Sequence, residues 1–140
     1  MRPRLGLKIL LTLATLIYGI VPAIADLNES HLLNPLWSPH ARVHAAWFLF
    51  FGAAMAFMSL YFAWVKDNLL LPAFVGLMFV GGFWTAYLTA PLYGGALVDD
   101  NGIETKVLGL EANVFTFLLV TSALLVVLIY ALGAQRADSD

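Results

Sequence analysis

The sequence predicts an all-α integral membrane protein, a four-helix bundle, and three observations carry that reading. Of its 140 residues, 61% are hydrophobic and only 11% are charged, too little polar surface to keep a soluble domain of this length in water. The apolar residues gather into four long runs, each reaching the ~20 residues that a helix needs to cross the hydrocarbon core. None of the runs shows the period-two alternation of barrel strands, so helices that satisfy their own backbone amides are the open-chain solution.

The first run extends from Leu5 to Ala25 and is interrupted only by Lys8, with Arg2 and Arg4 before it. Its basic start and its Ala23-Ile24-Ala25 end also match a cleavable leader, the rival reading of this segment. Val43 to Val65 and Leu69 to Pro91 are both uncharged. The fourth run, Leu110 to Leu132, carries Glu111 near its start. No repeat or linker divides the chain, so residues 1–140 are expected to form one transmembrane domain.

Short and long connections alternate. Lys66-Asp67-Asn68 makes a tight hairpin of the second and third helices. With the N-terminus inside, Arg2, Arg4, Lys8, Lys66 and Arg136 lie on the inner side, against Arg42 and Lys106 outside. That bias places both termini in the cytoplasm and the protein in the cell's inner (plasma) membrane. The two longer segments then form an outer-face cap. Within it, Asn101-Gly102 between Val98 and Ile103 predicts a short β-hairpin near 97–105, because both central positions of such a turn accept positive φ. Asp99 and Asp100 flank this turn as turn formers.

Composition excludes several chemistries. Cysteine is absent, which removes disulfides, thiolate metal sites and a cysteine nucleophile. Seven basic residues spread along the chain form no patch for nucleic acid. The spans lack a midplane charge, so transport ranks last among the readings.

The polar residues concentrate at the expected outer edge. All three histidines, His31, His40 and His44, fall within fourteen residues. Ser38 fits the N-cap and Pro39 the first position of the second helix, which puts His40 and His44 four apart on one helical face with Arg42 turned away. Imidazoles at that spacing can ligate one metal, with His31 and Glu111 as further ligands. A divalent transition metal fits this donor set, and its identity stays open. The plainer alternative leaves the histidines bonded to loop carbonyls or headgroups, Trp37, Trp47 and Tyr87 in an interfacial aromatic belt, and Glu111 in the first turn of the fourth helix, where its dipole favours a carboxylate. Gly52, Ala53 and Ala56 in the second helix, with Gly76, Gly81 and Gly82 in the third, permit close helix contact.

Across Asn34-Pro35-Leu36-Trp37-Ser38-Pro39-His40-Ala41-Arg42-Val43-His44 the chain resembles a family of small, uncharacterised four-span membrane proteins that carry an Asn-Pro-x-Trp-x-Pro-His-Ala-Arg-x-His box before the second helix. The resemblance implies no activity. It marks Asn34, Trp37, His40, Arg42 and His44 as the positions to test.

Two functional expectations follow. In the first, a membrane enzyme or ligand-binding protein holds a metal or a small lipophilic molecule in an outer-face cluster: His40 and His44 as ligands or acid–base groups, Arg42 as anion anchor, Glu111 as ligand or base, with Asn34, Trp37 and Tyr87 lining the ligand's place. In the second, the chain is an accessory subunit or assembly factor of a larger membrane complex, or associates with further copies of itself. There Asn34, Arg42 and Glu111 clasp the first loop to the bundle.

Overall fold

The computed structural model describes residues 2–98 and 105–137. The first span comprises α1 (Arg2–Thr15), a π-helical turn (Leu16–Ile20) and α2 (Val21–Ala25). Then come α3 (Pro39–Trp64), α4 (Leu70–Thr89) with a 3-10 turn over Ala90–Leu92, a two-residue hairpin of β1 (Lys106–Val107) and β2 (Leu110–Glu111), and α5 (Ala112–Ala137). Four helices among the described residues are long and apolar enough to cross a membrane: Arg4–Ala25, Pro39–Trp64, Leu70–Leu92 and Ala112–Ala137. An even number of traverses returns the chain to the end where it began. One end of the bundle therefore holds both termini and the 65–69 turn, and the other holds the long loops.

The π turn has a cause in the sequence. Pro22 has no N–H to give the Tyr18 carbonyl, and the ladder slips one residue beforehand, with the Val21 N–H bonding Leu16 O. The slip turns two consecutive residues, Tyr18 and Gly19, into the core. Tyr18 is fully buried, its ring 5.1 Å from that of Phe79 and its hydroxyl 3.2 Å from the Ser59 hydroxyl. A Cβ added at Gly19 would stand 2.5 Å from Ala56 Cβ and 2.8 Å from Gly52 O. Between helices in lipid, where apolar burial alone gives no drive to associate, such close backbone approach is a main source of cohesion. Gly76 makes the same kind of contact, meeting Leu124 and Tyr18.

The expected packing role holds for Gly52 and Gly76 but not for Gly81 and Gly82, where an added Cβ would meet nothing within 4 Å. The remaining core comes from Leu11, Val80, Val120, Leu124 and Val127. Trp84 Nε1 donates to Thr121 Oγ1 at 2.9 Å, and Thr121 in turn donates to Phe117 O, so the hydroxyl ties α4 to α5 while bonded to its own helix.

The helix starts follow local capping. Ser38 Oγ accepts the Ala41 N–H, with Pro39 in the first helical position as expected, so α3 begins four residues ahead of the apolar run. Asn68 Oδ1 accepts the Leu71 N–H at the start of α4. The expected hairpin near 97–105 falls mostly on residues outside those described. The Asn101-Gly102 turn lies outside the described residues, as do Asp99, Asp100 and Glu104. The described hairpin instead turns at Leu108 (φ 52°) and Gly109 (φ 83°), pairing Val107 with Leu110 and Lys106 with Glu111. Both central residues are left-handed, as a primed two-residue turn requires. The pairing holds Glu111 in β2, so the first turn of α5 contains no acid.

At the terminal end, Asp67 takes a left-handed conformation (φ 51°), and the Asn68 N–H closes back on Phe62 O at 2.9 Å. The turn presents the carboxylate to the first span. Lys8 Nζ lies 2.7 Å from Asp67 Oδ1, and Arg4 Nη2 lies 3.0 Å from Oδ2 and donates to the Asp67 carbonyl. The hydrogen bond from Lys8, reinforced by the charges of Arg4 and Lys8, holds the Asp67 carboxyl below the usual carboxylate range. The group is largely exposed, so salt screens it and its share of stability is modest. A depressed folded value means the contribution is present above the unfolded pKa of about 3.9 and fades as pH falls through the folded value. In detergent micelles, Asp67→Asn is expected to melt at a lower temperature than the wild type at pH 7. The gap should close below about pH 4 and shrink in high salt; a gap independent of pH would contradict the ion-pair assignment.

Candidate functional site

At the end away from the termini, a cavity of about 570 Å³ opens between the π turn, α3, α4 and α5. Phe48, Phe79, Phe83 and Phe117 supply much of its wall together with Tyr18. The rings are locked in place: Phe83 stacks on Phe117 at 4.0 Å and 9°, and Phe48 on Phe79 at 5.4 Å and 24°. Gly82 also lines the space, and its missing side chain leaves that stretch of α4 open. The polar lining residues are Asp26, His31, Asn113 and Thr116. The volume and the mixture of aromatic wall with a few polar groups are those of a small-molecule pocket.

Asp26 follows α2 directly, and its half-buried carboxylate makes no hydrogen bond or ion pair among the described residues. Burial raises its pKa above the ordinary value, and the nearby charge of His31 draws it partly back. His31 is set by a local network. Asn28 Nδ2 donates to Ala25 O at 2.8 Å, which fixes the amide so that Oδ1 accepts from the Ser30 N–H, the Ser30 hydroxyl and the His31 N–H. Since the Ser30 hydroxyl proton goes to Asn28, the 2.7 Å contact between Ser30 Oγ and His31 Nδ1 has the ring nitrogen as donor. In this geometry the His31 ring carries a proton on Nδ1.

The three histidines do not converge. All three are exposed, but His31 lines the cavity, whereas His40 and His44 stand at the start of α3 with their Nε2 atoms 3.0 Å apart and their rings edge to face at 4.5 Å. Among the described residues, no three His, Asp or Glu side chains come together in a way that could hold a metal ion. The expected four-ligand set of His31, His40, His44 and Glu111 is thus not assembled. The reason is local: His31 is tied to Ser30 in its own turn, and Glu111 is tied into β2.

The expected clasp is also absent. Asn34 Oδ1 is taken by the Leu36 N–H, an Asx turn closed on itself. Arg42 makes no ion pair with Glu111; among the described residues, Arg42 Nε and Glu111 Oε2 are shielded from solvent without a hydrogen-bond partner. Trp37 and Tyr87 lie outside the cavity lining; Tyr87 stacks parallel to Phe83 at 6.3 Å, and the Trp37 N–H bonds Asn34 O.

Sequence reasoning passed over Asp26 and the phenylalanine wall. An ionisable residue directly after an apolar span, five residues ahead of a histidine, is the signal that points to Asp26. The wall leaves no such trace, because phenylalanines in a membrane span read as lipid-facing.

Comparison with curated proteins and with solved structures found no match. A family model described as "Family of unknown function (DUF6640)" matches residues 10–139. That match takes in most of the first apolar helix and the whole of the other three, and the chain belongs to this family of unknown function.

Proposed function

We propose that the protein binds a small lipophilic molecule in the cavity at the loop end of the bundle, within the lipid bilayer. The observation that carries this reading is the space itself: about 570 Å³ walled by stacked phenylalanines, with Asp26, His31 and Asn113 among its lining. Such a site takes the apolar body of a ligand among the rings and orients it by hydrogen bonds to its polar end. The Lys and Arg bias supports an orientation with both termini cytoplasmic, which puts the cavity at the outer leaflet.

A second reading rests on a separate observation, the 3.0 Å between His40 Nε2 and His44 Nε2. Two metal–imidazole bonds of about 2.0–2.1 Å span a nitrogen separation of about 3 Å when they diverge at roughly a right angle. The pair is accordingly a two-point chelate for a divalent transition metal, with the remaining positions open to solvent or to a partner's side chain.

Gly82→Leu tests the cavity, since the new side chain has room to enter it. Calorimetric titration with biphenyl in maltoside micelles is expected to show saturable binding to the wild type, weakened at least about tenfold by a leucine that fills the site. Equal binding by both proteins would refute the cavity as the site. For the chelate, titration with Ni²⁺ is expected to give one ion per chain, lost in His40→Ala/His44→Ala and kept in His31→Ala. Retention in the double variant would overturn the metal reading.

A further inference from the structure

We infer that the cavity selects lipophilic cations, molecules joining an apolar or aromatic body to a tertiary or quaternary ammonium, with Asp26 as the counter-charge. This rests on the reading of the cavity as a ligand site and adds the chemical class of its occupant. Two features of the lining choose the charge.

The first is the carboxylate. Asp26 is half-buried and lines the cavity, and its carboxylate makes no close hydrogen bond or ion pair among the described residues, the charge of His31 acting on it only from longer range. His31 is the one basic side chain on the wall, and it lies beyond ion-pair distance of Asp26, with its Nδ1 proton committed to Ser30. A carboxylate withdrawn from water without a partner is costly, and a cation entering beside it restores the lost interaction in a medium of low dielectric. Burial that raises the Asp26 pKa is the same cost seen from the proton's side.

The second feature is the wall. Tyr18, Phe79, Phe83 and Phe117 line the cavity, and aromatic rings attract ammonium groups, most strongly where water is excluded. An anionic head would meet the Asp26 charge, with His31 the one basic side chain among the lining residues. A bound metal ion is a poor alternative occupant, because Asp26 brings one carboxylate and no group of three ligating side chains exists among the described residues.

Asp26 is a suitable position to alter, since its structural contribution runs through the backbone, where its carbonyl accepts the Leu32 N–H at 3.0 Å. Three probes of one shape separate the terms: (biphenyl-4-yl)methyl-trimethylammonium, its neutral carbon isostere 4-neopentylbiphenyl, and biphenyl-4-acetate. Each is titrated calorimetrically into the full chain in maltoside micelles. The wild type is expected to bind the ammonium probe at least about tenfold more tightly than the neutral isostere, and the acetate most weakly. In Asp26→Asn the ammonium preference should fall severalfold, to what the rings alone supply, while binding of the neutral isostere is unchanged, which also shows that the variant has folded. Repeating the titration in nanodiscs of phosphatidylcholine and of phosphatidylglycerol distinguishes sources: competition by the choline lipid alone identifies a lipid headgroup as the ammonium, and its absence identifies a free molecule.

If cation and isostere bind the wild type equally and Gly82→Leu weakens both, the cation inference is overturned and the cavity reading stands. If Gly82→Leu leaves all three probes unaffected, the cavity reading itself has failed.

Discussion

The structure depends on how closely the first span can approach α3. In a bilayer, whose chains are as apolar as these helix surfaces, burial alone would give the helices no reason to associate, and cohesion would come from atoms in contact. At Gly19 the two backbones meet with no room for a methyl group, against Ala56 Cβ on one side and Gly52 O on the other. That contact exists because the π turn rotates Gly19 and Tyr18 inward together. Tyr18 then reaches Ser59 and packs against Phe79, joining the first span to α3 and α4 in a single buried cluster. At the other end of the same span, Lys8 and Arg4 are fixed to Asp67. The first span is held at both ends, by shape at one and by charge at the other.

The same geometry opens the cavity. A π turn widens the helix by one residue, and such turns recur near functional sites. Here its outward side, with Ile17, Val21 and Pro22, forms one wall of a space that α4 leaves free because Gly82 has no side chain to fill it. Tight packing and open volume sit within one helical turn of each other along the first span. The polar residues at the cavity, Asp26 and His31, come from the loop that leaves this span. The loop is ordered by Asn28, whose amide bonds Ala25, Ser30 and His31 at once.

Much of the architecture was legible in the residues. Run length and composition locate all four spans, and Ser38-Pro39 marks the start of α3 correctly because capping is a local interaction. The hairpin shows where local signals fall short. Leu108-Gly109 carries only half the usual turn signature, and Leu108 accepts a left-handed conformation that L-residues generally avoid at a cost of about 1–2 kcal/mol. The site was read less well, for a physical reason. Proximity in sequence suggested that His31, His40 and His44 act together, but His31 precedes the Asn34 turn and His40 and His44 follow it. All three are exposed, but only His31 lines the cavity. Whether a glycine serves contact or open space also depends on the partner helix. That is why Gly76 and Gly82, six residues apart in α4, have opposite roles.

The central claim is that the approach at Gly19 holds the bundle together. It is tested most directly by the thermal stability of Gly19→Ala in detergent, measured beside Gly6→Ala, where an added Cβ meets nothing within 4 Å. Because the obstructing Gly52 oxygen belongs to the backbone and cannot swing aside, the account predicts a loss of about 1–3 kcal/mol for Gly19→Ala and none for Gly6→Ala. A Gly19→Ala protein as stable as the wild type would contradict it.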